Sequence, residues 1–303
     1  MLNDKKIPTI LKYIAYALIL LGAILQTVAM LTSYEAATHY FPVGAPLPIL
    51  AFLSVLVGAL CGVSSAILSD KQATAGSPFS SPYASIASCV GFLLGGILML
   101  LTASDLLSLI AALLLLFSAL YAFLTGTSLV RKKPSAMVLL GFLVIAACAV
   151  GNVYCYFDVS LEMNAPVKTV LQMALLFSML YFTGEIRFFL GREKKRLYLI
   201  LSYCALAACA LSAPSIPVSY FLGILPRYDY YALSVVTLGI LVSIPLRLLA
   251  ISCHREIPHP EVTADVSDAQ EPPISDTEST HSPCPTEHET SNDTEEQKET
   301  DEE

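Results

Sequence analysis

The sequence predicts an all-α, polytopic membrane protein, an eight-transmembrane-helix bundle with a disordered acidic C-terminal tail. Three observations predict it. Of the 303 residues, 55% are hydrophobic and only 14% are charged, against roughly a quarter charged in soluble domains. The apolar residues gather into eight runs near the length of about 20 residues that a helix needs to cross the hydrocarbon layer. The charge is also divided. Of the 25 acids, 16 lie between Glu256 and Glu303, where Lys298 is the single base, whereas the chain up to Arg255 holds 16 Lys and Arg against 9 Asp and Glu. A basic membrane body of net +7 carries an acidic tail of net −15, and the overall −8 averages two different objects.

The first span covers about 10–33. Its charge-free stretch Tyr13–Tyr34 runs 22 residues, longer than the about 7–15 of a signal-peptide core, so it reads as an uncleaved helix. The second, about 47–69, follows Gly44-Ala45-Pro46 and holds Gly58 and Gly62. The third, about 83–103, holds Gly91 and Gly95. Both GxxxG pairs let backbones approach closely, and packing inside the chain is favoured over a dimer interface. The turn from Thr102 to Asp105 leads into the fourth span, about 105–130, with Ser104 or Asp105 as its N-cap. The fifth, about 135–157, ends in the interfacial aromatics Tyr154, Tyr156 and Phe157. The sixth, about 166–190, follows Asn164-Ala165-Pro166. That echo of the second span hints at two four-helix halves, although loop chemistry alone produces the same match. The seventh, about 197–213, repeats small residues at Cys204, Ala208 and Ser212. The eighth, about 230–251, is approached through Tyr220, Phe221, Tyr228, Tyr230 and Tyr231. Residues 1–253 form the membrane domain and 254–303 the tail.

The basic residues orient the bundle. With a cytoplasmic N-terminus, 14 Lys and Arg fall in cytoplasmic segments, and only Lys168 and Arg227 fall outside. An even number of spans returns the tail to the cytoplasm, which places both termini on the inner side of the cell membrane.

The sixth and eighth spans are short of apolar length. Only 16 uncharged residues separate Lys168 from Glu185, and 17 separate Asp229 from Arg247. These make about 24–25 Å of helix against a core of about 30 Å. Lys168 and Arg247 have stems long enough to snorkel, whereas Glu185 does not. Counted from Pro166 and Tyr230, Glu185 and Arg247 lie at matching depths of about 25–28 Å. The signs are opposite, so the two are a candidate intramembrane ion pair, with Pro245 nearby freeing a carbonyl. The competing arrangement, which the sequence alone favours, lets the helix emerge near Gly184 and leaves Glu185 wet. Glu185 shares its helical face with Tyr181, Phe182, Phe188, Phe189 and Arg192.

Gln26, Asn152 and Gln172 are the amide side chains inside spans, all in the outer third by helix rise. They form a candidate outer polar cluster, although each amide can equally be satisfied by a neighbouring helix. The eight cysteines form no CxxC and mostly sit in apolar runs as small hydrophobes. His281, Cys284 and His288 have metal-like spacing, but a solvated tail is the preferred reading there. There is no P-loop, GxSxG, HExxH or dinucleotide fingerprint, and no span holds a histidine. The sequence thus implies no catalytic residue, metal or cofactor. The partners it implies are the lipid bilayer and, through the tail, a cytoplasmic protein, but no nucleic acid. Two functions stand level. One is a transporter or permease-like protein for a neutral or lipid-like solute, on span count and the outer amides. The other is a membrane sensor, scaffold or complex subunit that docks through its acidic tail. An intramembrane enzyme stands behind both.

Overall fold

A computed structural model describes residues 6–69, 78–127, 134–190, 194–225 and 227–253. The tail, including His281, Cys284 and His288, lies outside the described residues. Among the described residues nine α-helices account for the spans: α1 Lys6–Thr32, α2 Pro46–Leu68, α3 Pro82–Leu101, α4 Leu106–Thr125, α5 Pro134–Phe157, α6 Pro166–Phe189, α7 Lys195–Ser212, α8 Ser215–Phe221 and α9 Tyr228–Cys253. With α7 and α8 taken together, eight helices are long and apolar enough to cross a membrane. The chain is an all-α, multi-pass membrane protein.

The local chemistry explains where the helices begin. Prolines stand in the first turn of α2, α3 and α6, where a missing N–H costs nothing. Ser81 caps α3 by accepting from the Ala84 N–H. Asp105 caps α4 in a reciprocal box with Ser108, accepting from its N–H at 3.0 Å. Two boundaries differ from the sequence expectation. α4 ends at Thr125 instead of running to 130, because the Gly126 and Thr127 N–H groups fall back on the Phe123 and Leu124 carbonyls in a tightened last turn. The seventh span does not stop at 213. It passes Pro214 and continues through α8 as one span of 27 residues. The Ala213 N–H still reaches the Cys209 carbonyl at 2.8 Å, and the Ser215 hydroxyl takes the Leu211 carbonyl at 2.6 Å. Proline is tolerated in a membrane helix when a hydroxyl re-satisfies the backbone in this way.

α7 is the axis of the bundle. It packs on α1, α2, α6 and α9, and it is the most buried span. From α9 the packing runs through α3, α4, α5 and α6 back to α7. The α1–α2 hairpin joins the rest through α7 and α8. Helices α6 and α7 lie against each other, whereas among the described residues their counterparts α2 and α3 share no comparable packing, so the two halves are not packed alike. The small residues are used internally. A methyl added at Gly58 would lie 2.9 Å from Ile19 of α1, and one at Gly62 would strike the Tyr203 ring of α7. Gly91 touches Gly239 backbone to backbone, and Gly95 fits against Ala232 and Val236 of α9.

Two polar faces follow. The amino-terminal face is marked by Ser65, at the end of α2, bonding to the Pro8 carbonyl in α1. The opposite face is marked by the Tyr40 hydroxyl bonding to Glu162 at 2.8 Å.

Candidate functional site

Near the amino-terminal face, α6 and α9 bring Glu185 and Arg247 together. Glu185 is 0% exposed and Arg247 1%. An Arg247 Nη donates to Glu185 Oε1. The second carboxylate oxygen accepts from the Tyr121 hydroxyl of α4 at 3.1 Å. Tyr181 and Tyr198 share a hydrogen bond of 3.0 Å and flank the pair from α6 and α7. The Phe79 ring lies over the guanidinium, 5.5 Å from its carbon. Phe79 belongs to the single turn Pro78–Ser80 that precedes α3. Phe79 also stacks on Phe189 at 4.6 Å and meets Phe188 edge-on.

Glu185 is therefore not wet, and the arrangement the sequence alone favours is overturned. The reason lies in three helices that the periodicity of α6 does not reveal. Arg247 neutralises the carboxylate, Tyr121 saturates its second oxygen, and aromatic rings exclude water. An uncompensated charge there would cost several kcal/mol, and pairing removes most of that penalty. A cation over an aromatic face adds on the order of 1–2 kcal/mol where water is absent. Among the described residues the buried Arg247 Nε has no acceptor.

The outer amides are not gathered into one cluster. Asn152 of α5, oriented by its bonds, donates to the Gln172 backbone carbonyl of α6 and accepts from the Leu176 N–H, both at 3.2 Å. It is satisfied by the backbone of a neighbouring helix, and Gln172 itself is half-buried. Gln26 is buried on α1, which packs on α2, α7 and α8 instead. Among the described residues no hydrogen bond joins Gln26 to the other two.

The opposite face carries a second ionic group. Asp158, just after α5, takes two bonds from Arg227, at 2.9 and 3.1 Å, and one from the Tyr230 hydroxyl at 2.9 Å. Ser160 bonds to both partners of this pair. The group fastens the α5–α6 loop to the start of α9. Lys168 does not snorkel to water. It is 2% exposed, and its ammonium donates to the Tyr156 and Asp158 carbonyls at 3.3 and 2.8 Å. It thereby caps the C-terminus of α5, where the helix dipole favours a cation. Nearby, Thr102 donates to Asp229 at 3.0 Å.

Burial pushes the Asp158 carboxyl up, but the bonds from Ser160 and Tyr230 and the charge of Arg227 outweigh it, and the group sits below the ordinary carboxylate range. A depressed carboxyl stabilises the fold above its unfolded value of about 4 and loses that contribution as pH falls through the lower folded value. Asp158→Asn should therefore lower the thermal midpoint by a constant amount from pH 7 to pH 5, and the difference from wild type should shrink as pH falls below about 4. The midpoint can be followed with a thiol-reactive dye, because Cys148, Cys155 and Cys209 are free and buried.

Tyr121, Tyr198, Phe79 and the Asp158–Arg227 pair were not legible as site residues. One signal was present. Tyr121 stands four residues before the end of α4, at the depth of Glu185, as a polar handle in a run of leucines. Comparison of the chain with family models, curated protein sequences and solved structures finds no match.

Proposed function

We propose that this multi-pass membrane protein acts without catalysis, as a membrane sensor, scaffold or complex subunit. In this reading it lies in the cell membrane with both termini in the cytoplasm, and its acidic C-terminal segment docks a cytoplasmic protein. The observation that carries the proposal is the closure of the Glu185–Arg247 pair. Both carboxylate oxygens are engaged inside the chain and an aromatic ring covers the guanidinium, so neither oxygen is left to take a solute. The buried hydroxyls support it. Ser118, Ser178 and Ser202 each donate to a carbonyl of their own helix at 2.7 Å, which uses their hydroxyl protons inside the bundle. A second reading, a permease-like carrier of a neutral or lipid-like solute, is favoured by the prolines inside the seventh and eighth spans, since interrupted helices line carrier sites.

Chemical crosslinking in native membranes, followed by affinity capture, tests the proposal with the full chain and with a chain lacking residues 256–303. One cytoplasmic protein should be captured by the full chain alone. Identical capture by both forms, with solute uptake into proteoliposomes that does not need the tail, would establish the carrier instead. Reporter fusions at Ala75 and Thr290 should both report the cytoplasmic side.

A further inference from the structure

We propose that Phe79 is a movable plug: seated, it seals the Glu185–Arg247 pair from water on the amino-terminal face, and lifted, it hydrates the pair and loosens α6 from α9. Four observations lead there. Phe79 stands on the single turn Pro78–Ser80, separated from α3 by the Ser81 cap, so the ring can swing without breaking the hydrogen-bond ladder of a spanning helix. Its ring contacts reach other elements: stacked on Phe189 at 4.6 Å and 25°, edge-on to Phe188 at 6.1 Å, and over Arg247 at 5.5 Å. These contacts are lost together when the ring leaves. Phe79, Phe188 and Phe189 are only partly buried, whereas the ion pair that Phe79 covers is sealed.

The fourth observation supplies the opposing force. With the plug seated, the Arg247 Nε is buried and has no acceptor among the described residues. A buried donor without a partner is unfavourable, and water admitted beside it would satisfy it. Ring contacts thus favour the closed state and hydration of the guanidinium favours the open one. Two opposed terms of similar scale are what a two-state element needs. Opening would also weaken the ion pair itself, because water screens it. The turn before α3 thereby reports on, and sets, the lock between α6 and α9.

The test labels carboxylates with a water-soluble carbodiimide and glycine ethyl ester, on the full chain in nanodiscs, read by mass spectrometry of the peptide containing Glu185. Buried Cys148 and Cys209 must stay unreactive throughout, which shows that the fold is intact. Wild-type Glu185 should label slowly but to completion. Phe79→Ala should label about tenfold faster, Phe79→Leu at an intermediate rate and Phe79→Trp more slowly than wild type. Phe52→Ala, which removes an exposed ring from α2, should leave the rate unchanged. Exposed Glu162 should label alike in every variant. If Phe79→Ala does not fold, the Leu and Trp variants decide, and rates within about twofold of wild type for both would overturn the proposal. Complete protection of wild-type Glu185 would also overturn it, because the ring would then be a fixed wall.

Discussion

Glu185→Arg alone should remove the protein from the membrane fraction, and adding Arg247→Glu should restore a good part of it. The single change sets two guanidinium groups against each other in a site that is 0–1% exposed. Breaking a buried pair in this way costs on the order of 3–5 kcal/mol, which is a large share of the about 5–15 kcal/mol that holds a typical domain together. The double variant restores opposite charges on the same two helices. Recovery should be partial, since the Tyr121 hydroxyl, 3.1 Å from Glu185, is aimed at a carboxylate on α6 and not at one on α9. A neutral pair, Glu185→Gln with Arg247→Met, separates charge from packing. It should be better tolerated than either single change, because no uncompensated ion is left. Membrane-fraction yield and the thiol-dye midpoint read all of these variants. A double charge swap no better than Glu185→Arg would show that the two side chains do not act as a pair.

The second large effect belongs to the contact between α3 and α9. A methyl at Gly91 would lie 2.6 Å from the Gly239 Cα, and one at Gly239 would lie 2.7 Å from the Gly91 Cα and 3.0 Å from the Ala87 carbonyl oxygen. These obstacles are backbone, which cannot turn aside as a side chain can. Gly239→Val must part the two helices, and such overpacking costs typically about 1–3 kcal/mol and more where backbone is struck. Gly151→Ala is the matched control. Its nearest obstacle is a Leu175 methyl at 3.3 Å, which a small rotamer shift relieves. The dye midpoint should fall steeply for Gly239→Val and hardly at all for Gly151→Ala. Equal shifts would argue that α3 and α9 do not meet at their glycines.

The helices themselves were legible because the bilayer imposes one rule on every segment. A backbone without water must bond to itself, so length and apolarity suffice to mark a span. Asp105 as a cap and Gly91 as a packing residue were legible for similar reasons, since each acts within a few residues or through its own small size. The seventh span outruns the apolar count because a serine hydroxyl, not the backbone alone, carries the chain past Pro214. Lys168 does not use its reach to snorkel because its ammonium finds the Tyr156 and Asp158 carbonyls at the end of α5, which no count of charges reveals.

The amino-acid sequence by itself determined the fold class, the eight crossings and the matching depths of Glu185 and Arg247, because hydrocarbon thickness and helix rise are lengths that a linear count can measure. Only the tertiary structure decided that Glu185 is dry, that Tyr121 and Phe79 close around it, and that Gln26 stands apart from Asn152. Those outcomes depend on which faces of distant helices turn toward each other. That choice is settled by packing summed over the whole bundle, and no local stretch of sequence contains it.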